Sequence, residues 1–124
     1  MGYIDLHVHS TASDGTLSPA QVVELAASQK LEAIALTDHD TVSGIPEAAE
    51  AARRAGIELV PGIELSCEYQ GKEIHILGLF IHPEEKAFAA EIGALLEIRN
   101  RRNQEMLARF QKAGFSFTLE DLTA

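Results

Sequence analysis

The sequence predicts an α/β protein that is built on parallel strands. Over residues 3–64, short apolar segments of strand character alternate with longer segments of helical character. Helix start and stop signals stand at the boundaries of these segments. Polar residues of the kind that bind metals follow each predicted strand. Alternating strands and helices predict parallel strands joined by right-handed crossovers.

The first predicted strand covers residues 3–9, and its two faces differ in character. Successive side chains on a strand point to opposite faces. The apolar residues share one face, namely Ile4, Leu6 and Val8. The polar residues share the other, namely Asp5, His7 and His9. Two imidazoles and a carboxylate on one surface are costly to bury unless something binds them.

The first predicted helix follows a polar loop and runs from Ser18 to about Lys30. Ser18 is a suitable N-cap, and Pro19 occupies the first helical position, where its missing N–H costs nothing. The expected apolar face of this helix consists of Val22, Val23, Leu25 and Ala26.

A second βα unit and a third strand complete the alternating region. Residues 33–37 form a short apolar run, which we interpret as a buried strand, and residues 38–43 form a polar loop. The next helix covers residues 45–55 and stops at Gly56, a strong C-terminal signal. Residues 57–64 are expected to form the third strand.

The remainder of the chain predicts a hairpin and then mostly helix. Residues 65–80 have strand character, and Gln70-Gly71 is a plausible turn within them. Residues 84–113 have a helical pattern that ends at Gly114. Thr118 is a suitable N-cap for a further helix that begins near the last residues.

Composition limits the classes of function. The chain has 124 residues, enough for one domain or part of one, and 46% of them are hydrophobic. A net charge of −9 argues against broad electrostatic contact with nucleic acid, although bound cations would still permit an anionic substrate. The single cysteine, Cys67, cannot form an internal disulfide. Because no signal segment or membrane-spanning run is visible, we expect a cytoplasmic protein with no membrane partner.

Residues of the metal-ligand type gather at the predicted carboxyl ends of strands, where parallel α/β folds place their chemistry. Neutral imidazole and carboxylate suit Zn²⁺, Mn²⁺ and Fe²⁺. The candidate metal ligands are His7, His9, Asp14, His39, Glu64 and His75. Among these, Glu64 is suited to bridge two ions because a carboxylate has two oxygens with lone pairs.

Four motifs resemble successive motifs of the PHP (polymerase and histidinol phosphatase) family. They are Asp5-Leu6-His7-Val8-His9-Ser10, Ser13-Asp14-Gly15, Thr37-Asp38-His39-Asp40-Thr41 and Pro61-Gly62-Ile63-Glu64. The resemblance covers residues 3 to about 82. It implies that residues 1–83 are the N-terminal βα units of a distorted (β/α)7 barrel. Residues 84–124 would then begin a helical insertion, with the rest of the domain outside this chain.

The resemblance also implies roles for individual residues. His7 and His9 would hold one metal, Glu64 would bridge it to a second metal that His75 also binds, and Asp14 with His39 would hold a third. The cofactors expected are divalent ions, Mn²⁺ or Zn²⁺ with Fe²⁺ as a further candidate. We expect catalysis to depend on three residues: Asp14, His39 and Asp40. Of these, Asp40 is expected beside the ligands and not among them.

Simpler explanations exist for several of these residues. Asp14 precedes Gly15 and could belong only to a tight turn, and His75 could be a surface histidine. Asp5 could orient an imidazole through its second nitrogen, or it could pair with a backbone or lysine group. Cys67 is more simply a small buried side chain than a ligand. His82-Pro83 reads as a turn.

Arg99 and Arg102 are candidate substrate-binding residues. They lie three residues apart and so share one helix face. A guanidinium can hold a phosphate through two hydrogen bonds. The alternative is a solvated face on which these arginines pair with nearby glutamates.

By resemblance, the expected function is hydrolysis of a phosphate ester of a nucleotide or short RNA by metal-activated water. The helical segment resembles that of nucleoside 3′,5′-bisphosphate phosphatases and 5′-to-3′ exoribonucleases. Histidinol-phosphate-type phosphatase activity is one alternative, and a non-catalytic metal-binding module is another. We expect later ligands and strands to lie beyond residue 124, so that the fragment alone would be of doubtful activity. Its open strand edges would then favour self-association.

Overall fold

The chain folds into a mixed sheet with helices that follow its strands. The computed structural model describes residues 2–123, with side chains placed up to residue 121, so Met1 and Ala124 lie outside the described residues. The strands are β1 (Tyr3–Val8), β2 (Leu31–Leu36), β3 (Glu58–Tyr69) and β4 (Lys72–Leu79). The helices are α1 (Pro19–Ser28), α2 (Ile45–Ala55), α3 (Lys86–Lys112) and α4 (Leu119–Thr123).

The four strands lie side by side in the order β1-β2-β3-β4. β1 pairs with β2 and β2 pairs with β3 in parallel, whereas β3 and β4 are antiparallel. This confirms the predicted alternation with parallel strands, followed by a hairpin. Because the first three strands are parallel, the carboxyl ends of β1 and β2 lie at one edge of the sheet, beside the middle of β3.

In the structure, the predicted third strand and the first arm of the predicted hairpin form one long strand, β3. β4 pairs with β3 from Gly62 opposite Leu79 to Tyr69 opposite Lys72, so β3 runs unbroken through residue 64, where the sequence predicted a division between two strand segments. Gln70 and Gly71 have φ angles of 51° and 73°. Two consecutive positive φ values are typical of the tight turn that joins hairpin strands. The predicted turn at these two residues is confirmed.

The helix boundaries follow the capping signals. The Ser18 hydroxyl accepts a hydrogen bond from the Gln21 amide, and the Gln21 side chain accepts one from the Ser18 amide. α2 ends at Gly56, whose φ of 73° is the left-handed conformation that glycine adopts freely. α1 ends two residues before its expected end, since Lys30 also takes a positive φ of 62°.

The core lies between the helices and the sheet. α1 contacts both α2 and β2, and α2 contacts β3. The buried cluster consists of Val22, Val23, Ala26, Ile34, Leu36, Ile45, Ala48, Ala51 and Ala52. The expected apolar face of α1 is thus confirmed except at Leu25, which is 51% exposed. Leu25 lies instead on a shallow groove beside β1.

The chain divides into two compact units, residues 1–89 and 90–124. In the second unit, three phenylalanine rings pack against one another: Phe110, Phe115 and Phe117. Thr118 caps α4 as predicted, since its hydroxyl accepts from the Asp121 amide. The Thr118 amide and hydroxyl in turn donate to the Asp121 carboxylate, and these hydrogen bonds lower the pKa of Asp121. The predicted domain boundary after residue 83 stays a prediction.

Within residues 2–123, none of the helices combines the length and the apolar character that a bilayer crossing requires.

Candidate metal centre

The carboxyl ends of β1 and β2 meet the middle of β3 at one place. The Thr37 amide donates to the Val8 carbonyl (2.8 Å) and joins the ends of β1 and β2. His39 and Glu64 form a parallel bridge just beyond β2. These contacts bring residues that directly follow two strands beside a glutamate of the third.

Glu64 is the centre of this arrangement, and its side chain is only 8% exposed. One carboxylate oxygen, Oε1, lies 3.1 Å from His7 Nε2 and 3.8 Å from His75 Nδ1. The other, Oε2, lies 3.1 Å from His9 Nε2 and 3.2 Å from His39 Nε2. A single buried carboxylate therefore faces four imidazoles, two through each oxygen.

Asp14 approaches the same cluster from the loop after β1. Its Oδ1 lies 3.2 Å from His9 Nδ1, and its Oδ2 lies 3.4 Å from His39 Nε2. Gly15 allows this loop to lie close to the end of β1, because the Cβ of any other residue would lie 2.8 Å from the His9 carbonyl oxygen. The tight turn that was the alternative explanation for Asp14 is present, and it points the carboxylate at two imidazoles.

The imidazole rings form a continuous row. The ring centroids of His7 and His9 are 5.1 Å apart, those of His9 and His39 are 4.6 Å apart, and those of His39 and His75 are 5.2 Å apart. His75 also places its Nε2 3.2 Å from Glu73 Oε1. It is therefore a member of the cluster and not an isolated surface histidine.

Three groups of side chains in the described residues bring ligand atoms within 4.8 Å of one another. They are His7–His9–Glu64, His9–Asp14–His39 and His39–Glu64–His75. Each combines imidazole nitrogen with carboxylate oxygen, a donor set that suits Zn²⁺, Mn²⁺ or Fe²⁺. All six predicted ligands belong to at least one group.

A further observation favours a metal over direct pairing. His9 Nδ1 is buried and makes no hydrogen bond, although Asp14 Oδ1 lies 3.2 Å away. An unsatisfied buried nitrogen costs roughly 1–3 kcal/mol. A cation between this nitrogen and the carboxylate would remove that cost, so the residues present fit a divalent metal.

The remaining candidates lie outside these groups. Asp40 accepts a hydrogen bond from the Ser66 amide (2.8 Å) and has a φ of 55°. Asp5 accepts from the backbone amide of His7, which supports its pairing with a backbone group. Cys67 is half-buried in β3. His82 lies 3.4 Å from Glu84 and is mostly exposed.

Of the two candidate substrate-binding arginines on α3 in the second unit, Arg102 is exposed and Arg99 is half-buried. Arg101, between them in the sequence, lies 4.0 Å from Glu97.

Gly62 allows the close approach that places Glu64. A Cβ at this position would lie 2.8 Å from Thr37 Cγ2 and 3.1 Å from the Gly78 carbonyl oxygen. Neither contact is sterically acceptable without a shift. Glycine is therefore required where β3 passes between β2 and β4.

A buried polar network lies beside the cluster and was not predicted from the sequence. Asp38 is 2% exposed, and its carboxylate accepts hydrogen bonds from Ser10 and Ser13. The available signal was an acidic residue directly after a strand of buried apolar residues, a position that demands hydrogen-bond partners.

Comparisons with known proteins agree with this geometry. The chain is 44% identical over 110 residues to a 5′-3′ exoribonuclease of Haemophilus influenzae, a match that covers 89% of this chain and 40% of the relative. It is 43% identical over 116 residues to a 3′,5′-nucleoside bisphosphate phosphatase of Chromobacterium violaceum, covering 94% and 41% respectively. The chain thus spans about two fifths of the length of these relatives.

A solved structure extends the likeness to the fold. A candidate metal-dependent phosphoesterase from Bifidobacterium adolescentis superposes with a TM-score of 0.86 at 31% identity, covering 97% of this chain and 42% of that one. This agrees with the predicted N-terminal part of a (β/α) barrel. The sequence model of the PHP domain family matches residues 5–120. This range includes all six clustered residues: His7, His9, Asp14, His39, Glu64 and His75. The chain therefore belongs to the PHP domain family.

Proposed function

We propose that the complete protein is a metal-dependent phosphoric ester hydrolase whose substrate is a phosphate ester of a nucleotide or a short RNA. The observation that carries this proposal is the buried Glu64 carboxylate facing four imidazoles, with Asp14 completing the cluster. Packing alone does not account for this arrangement, because burying the Glu64 carboxylate without a ligand is costly.

In this proposal, the complete protein would hold up to three divalent ions, with the six clustered residues supplying part of their ligands; Mn²⁺ or Zn²⁺ is expected and Fe²⁺ is a further candidate. When bound, such ions neutralise phosphoryl oxygens and make hydroxide available near neutral pH. Glu64 presents its two oxygens to different pairs of imidazoles, which suits a bridging role. His7, His9, His39 and His75 supply neutral nitrogen ligands.

We assign the catalytic work of this chain to Asp14, His39 and Asp40. Asp14 is the most exposed member of the cluster, at 65%, so its carboxylate is accessible to a substrate phosphate and to water. His39 contacts both Asp14 and Glu64. Asp40 binds the Ser66 amide and donates its own amide to the Glu64 carbonyl, so it fixes the strand that carries Glu64.

The names of the relatives favour a nucleotide over other phosphate esters. One acts as an exoribonuclease and another as a nucleoside bisphosphate phosphatase, and both reactions cleave a phosphate ester of a nucleotide. Histidinol-phosphate-type phosphatase activity and a non-catalytic metal-binding module remain the alternatives.

Arg99 and Arg102 would bind a substrate phosphate.

The direct test is hydrolysis by the purified complete protein. It should release inorganic phosphate from a nucleoside 3′,5′-bisphosphate in the presence of Mn²⁺, lose activity when a chelator removes the metal, and regain it when Mn²⁺ is restored. Turnover of histidinol phosphate in preference to both the bisphosphate and a 5′-phosphorylated short RNA would support the first alternative. Bound metal without hydrolysis of any of the three would support the second.

Two further expectations belong to this proposal. We expect the protein in the cytoplasm, consistent with its single cysteine. We also propose that the open edges of the sheet are covered either by the rest of the domain or, in this chain by itself, by another copy, because β1 and β4 are edge strands that expose Tyr3, Ile4 and Ile76. A monodisperse monomer of this chain in solution scattering would contradict self-association.

A further inference from the structure

We propose that Asp38 is the positioning residue for the His9–Asp14–His39 group. This inference rests on the proposed metal-dependent function, and it goes beyond the ligands themselves. Asp38 belongs to none of the three ligand groups, yet it is among the most buried side chains of the chain at 2% exposure. A buried carboxylate must have hydrogen-bond donors around it, so the identity of those donors shows what it organises.

The donors come from the loop that carries Asp14. Asp38 Oδ1 accepts from the Ser10 amide and from the Ser13 hydroxyl, both at 2.7 Å. Asp38 Oδ2 accepts from the Ser10 hydroxyl, also at 2.7 Å. All three contacts are well within hydrogen-bonding distance, so both oxygens of the Asp38 side chain have partners.

Each ligand of the group is adjacent in sequence to a member of this network. His9 precedes Ser10, Asp14 follows Ser13, and His39 follows Asp38 itself. The relative positions of three ligands from two separate loops therefore depend on one carboxylate. No other side chain in the described residues is hydrogen-bonded to both Ser10 and Ser13 in this way.

The loop is further closed on Ser10. The Ser10 carbonyl accepts from the amides of Ser13 (3.1 Å) and Gly15 (2.8 Å), so Asp14 lies between two residues that are anchored to the same point. The Ser10 hydroxyl also accepts from the Ala12 amide. Asp38 lies two residues after the end of β2, so its hydrogen bonds to Ser10 and Ser13 fix the Asp14 carboxylate relative to that strand.

The side chain and the backbone of Asp38 serve different parts of the cluster. Its carbonyl accepts from the Glu64 amide at 3.1 Å, a contact that any residue at this position retains. Only the carboxylate reaches the Asp14 loop. Removing the carboxylate contacts should therefore weaken the group that contains Asp14 more than the two groups that contain Glu64.

Two substitutions in the complete protein test this. Asp38→Asn keeps the shape and removes the charge without touching Asp14. Ser13→Ala removes a hydroxyl that contacts both Asp38 Oδ1 (2.7 Å) and Asp14 Oδ1 (3.3 Å), at a half-buried position where folding should survive. Ser13→Thr keeps the hydroxyl and should restore wild-type behaviour. Ser28→Ala is the matched control, because its hydroxyl makes a single hydrogen bond, to the Leu25 carbonyl, at the far end of α1.

The measurement is the Mn²⁺ occupancy of each group, read from anomalous diffraction of crystals grown at limiting Mn²⁺, together with Mn²⁺ titration in solution. We expect Ser13→Ala and Asp38→Asn to reduce the occupancy at His9–Asp14–His39 selectively. The corresponding dissociation constant should rise about 10–100-fold, as is common for residues that orient metal ligands. Ser13→Thr and Ser28→Ala should leave it unchanged.

The outcomes separate this inference from the proposed function. Equal Mn²⁺ occupancy at all three groups in wild type and Ser13→Ala would overturn the positioning role alone. A uniform loss at every group, accompanied by a lower melting temperature, would also overturn it, since that is the signature of a purely structural residue. A wild-type protein with no Mn²⁺ at any group would overturn the proposed function and this inference with it.

Discussion

His7 Nε2 lies 3.1 Å from Glu64 Oε1, although 57 residues separate the two in the chain. The contact exists because β1 and β3 are parallel neighbours of the same central strand, so that the end of one strand faces the middle of the other. The same topology places His9 and His39 against the other oxygen of Glu64. Glu64 is thus the residue on which the proposed chemistry most depends.

Replacement of Glu64 by glutamine should abolish most of the activity. Glutamine keeps the shape but removes the negative charge that two pairs of imidazoles share. Because metal catalysis contributes several kcal/mol of transition-state stabilisation, kcat should fall by at least about 100-fold. Glu58→Gln is the matched control, since Glu58 is exposed at the start of the same strand. Similar kcat values for the two variants would contradict the central role of Glu64.

Glu73 should tune the ligand His75 without being a ligand itself. Its Oε1 lies 3.2 Å from His75 Nε2, while His75 Nδ1 faces Glu64. A carboxylate on the second nitrogen fixes the tautomer of a metal-binding histidine. Glu73→Gln should therefore weaken Mn²⁺ binding about 10-fold in a calorimetric titration. The control is Glu68→Gln, which alters the residue directly opposite on β3 and should have no effect.

The arginines of α3 should affect substrate binding and not metal binding. If Arg99 and Arg102 hold a substrate phosphate, replacing both by alanine should raise KM about 10-fold or more, because the loss of one hydrogen bond to a charged group weakens binding by about that factor. The metal content should stay unchanged. Arg53→Ala is the control, because Arg53 pairs with Glu50 on α2. An unchanged KM in steady-state kinetics would instead identify the pair as part of a solvated helix face.

Gly62→Ala should destabilise the fold. The added methyl group would lie 2.8 Å from Thr37 Cγ2 between two neighbouring strands, and overpacking of this kind costs about 1–3 kcal/mol. Gly93→Ala is the matched control, because nothing lies within 4 Å of a Cβ there and the residue is inside α3. That change should stabilise by up to about 1 kcal/mol. Urea denaturation of both variants would measure the difference, and equal stabilities would refute the packing argument.

The sequence predicted those parts of the fold that local signals determine. α2 begins and ends where predicted, and its end is determined by the left-handed φ of Gly56. The hairpin turns at Gln70 and Gly71 as predicted. Strand beyond residue 64 and its hairpin pairing were also predicted; the structure differs in running β3 unbroken from Glu58 to Tyr69, where the sequence predicted a division after residue 64. The exposure of Leu25 was missed, since it depends on which neighbours α1 acquires in the tertiary fold.

The composition of the cluster could be predicted, whereas its support could not. Strand ends and residue type were sufficient to select His7, His9, Asp14, His39, Glu64 and His75, which the structure brings together. The hydrogen bonds of Asp38 to Ser10 and Ser13 link two loops whose relative position depends on the packing of the whole sheet. The hydrophobic pattern of a single segment does not determine how two loops lie relative to each other.

The most direct test of the account is the metal content of the complete protein. After removal of metal with a chelator and dialysis against Mn²⁺, elemental analysis should find at least one tightly bound ion per chain, and His9→Ala, which alters a residue of two groups, should reduce that number. A wild-type protein that retains no metal after dialysis, or a His9→Ala variant that retains as much as wild type, would contradict the account.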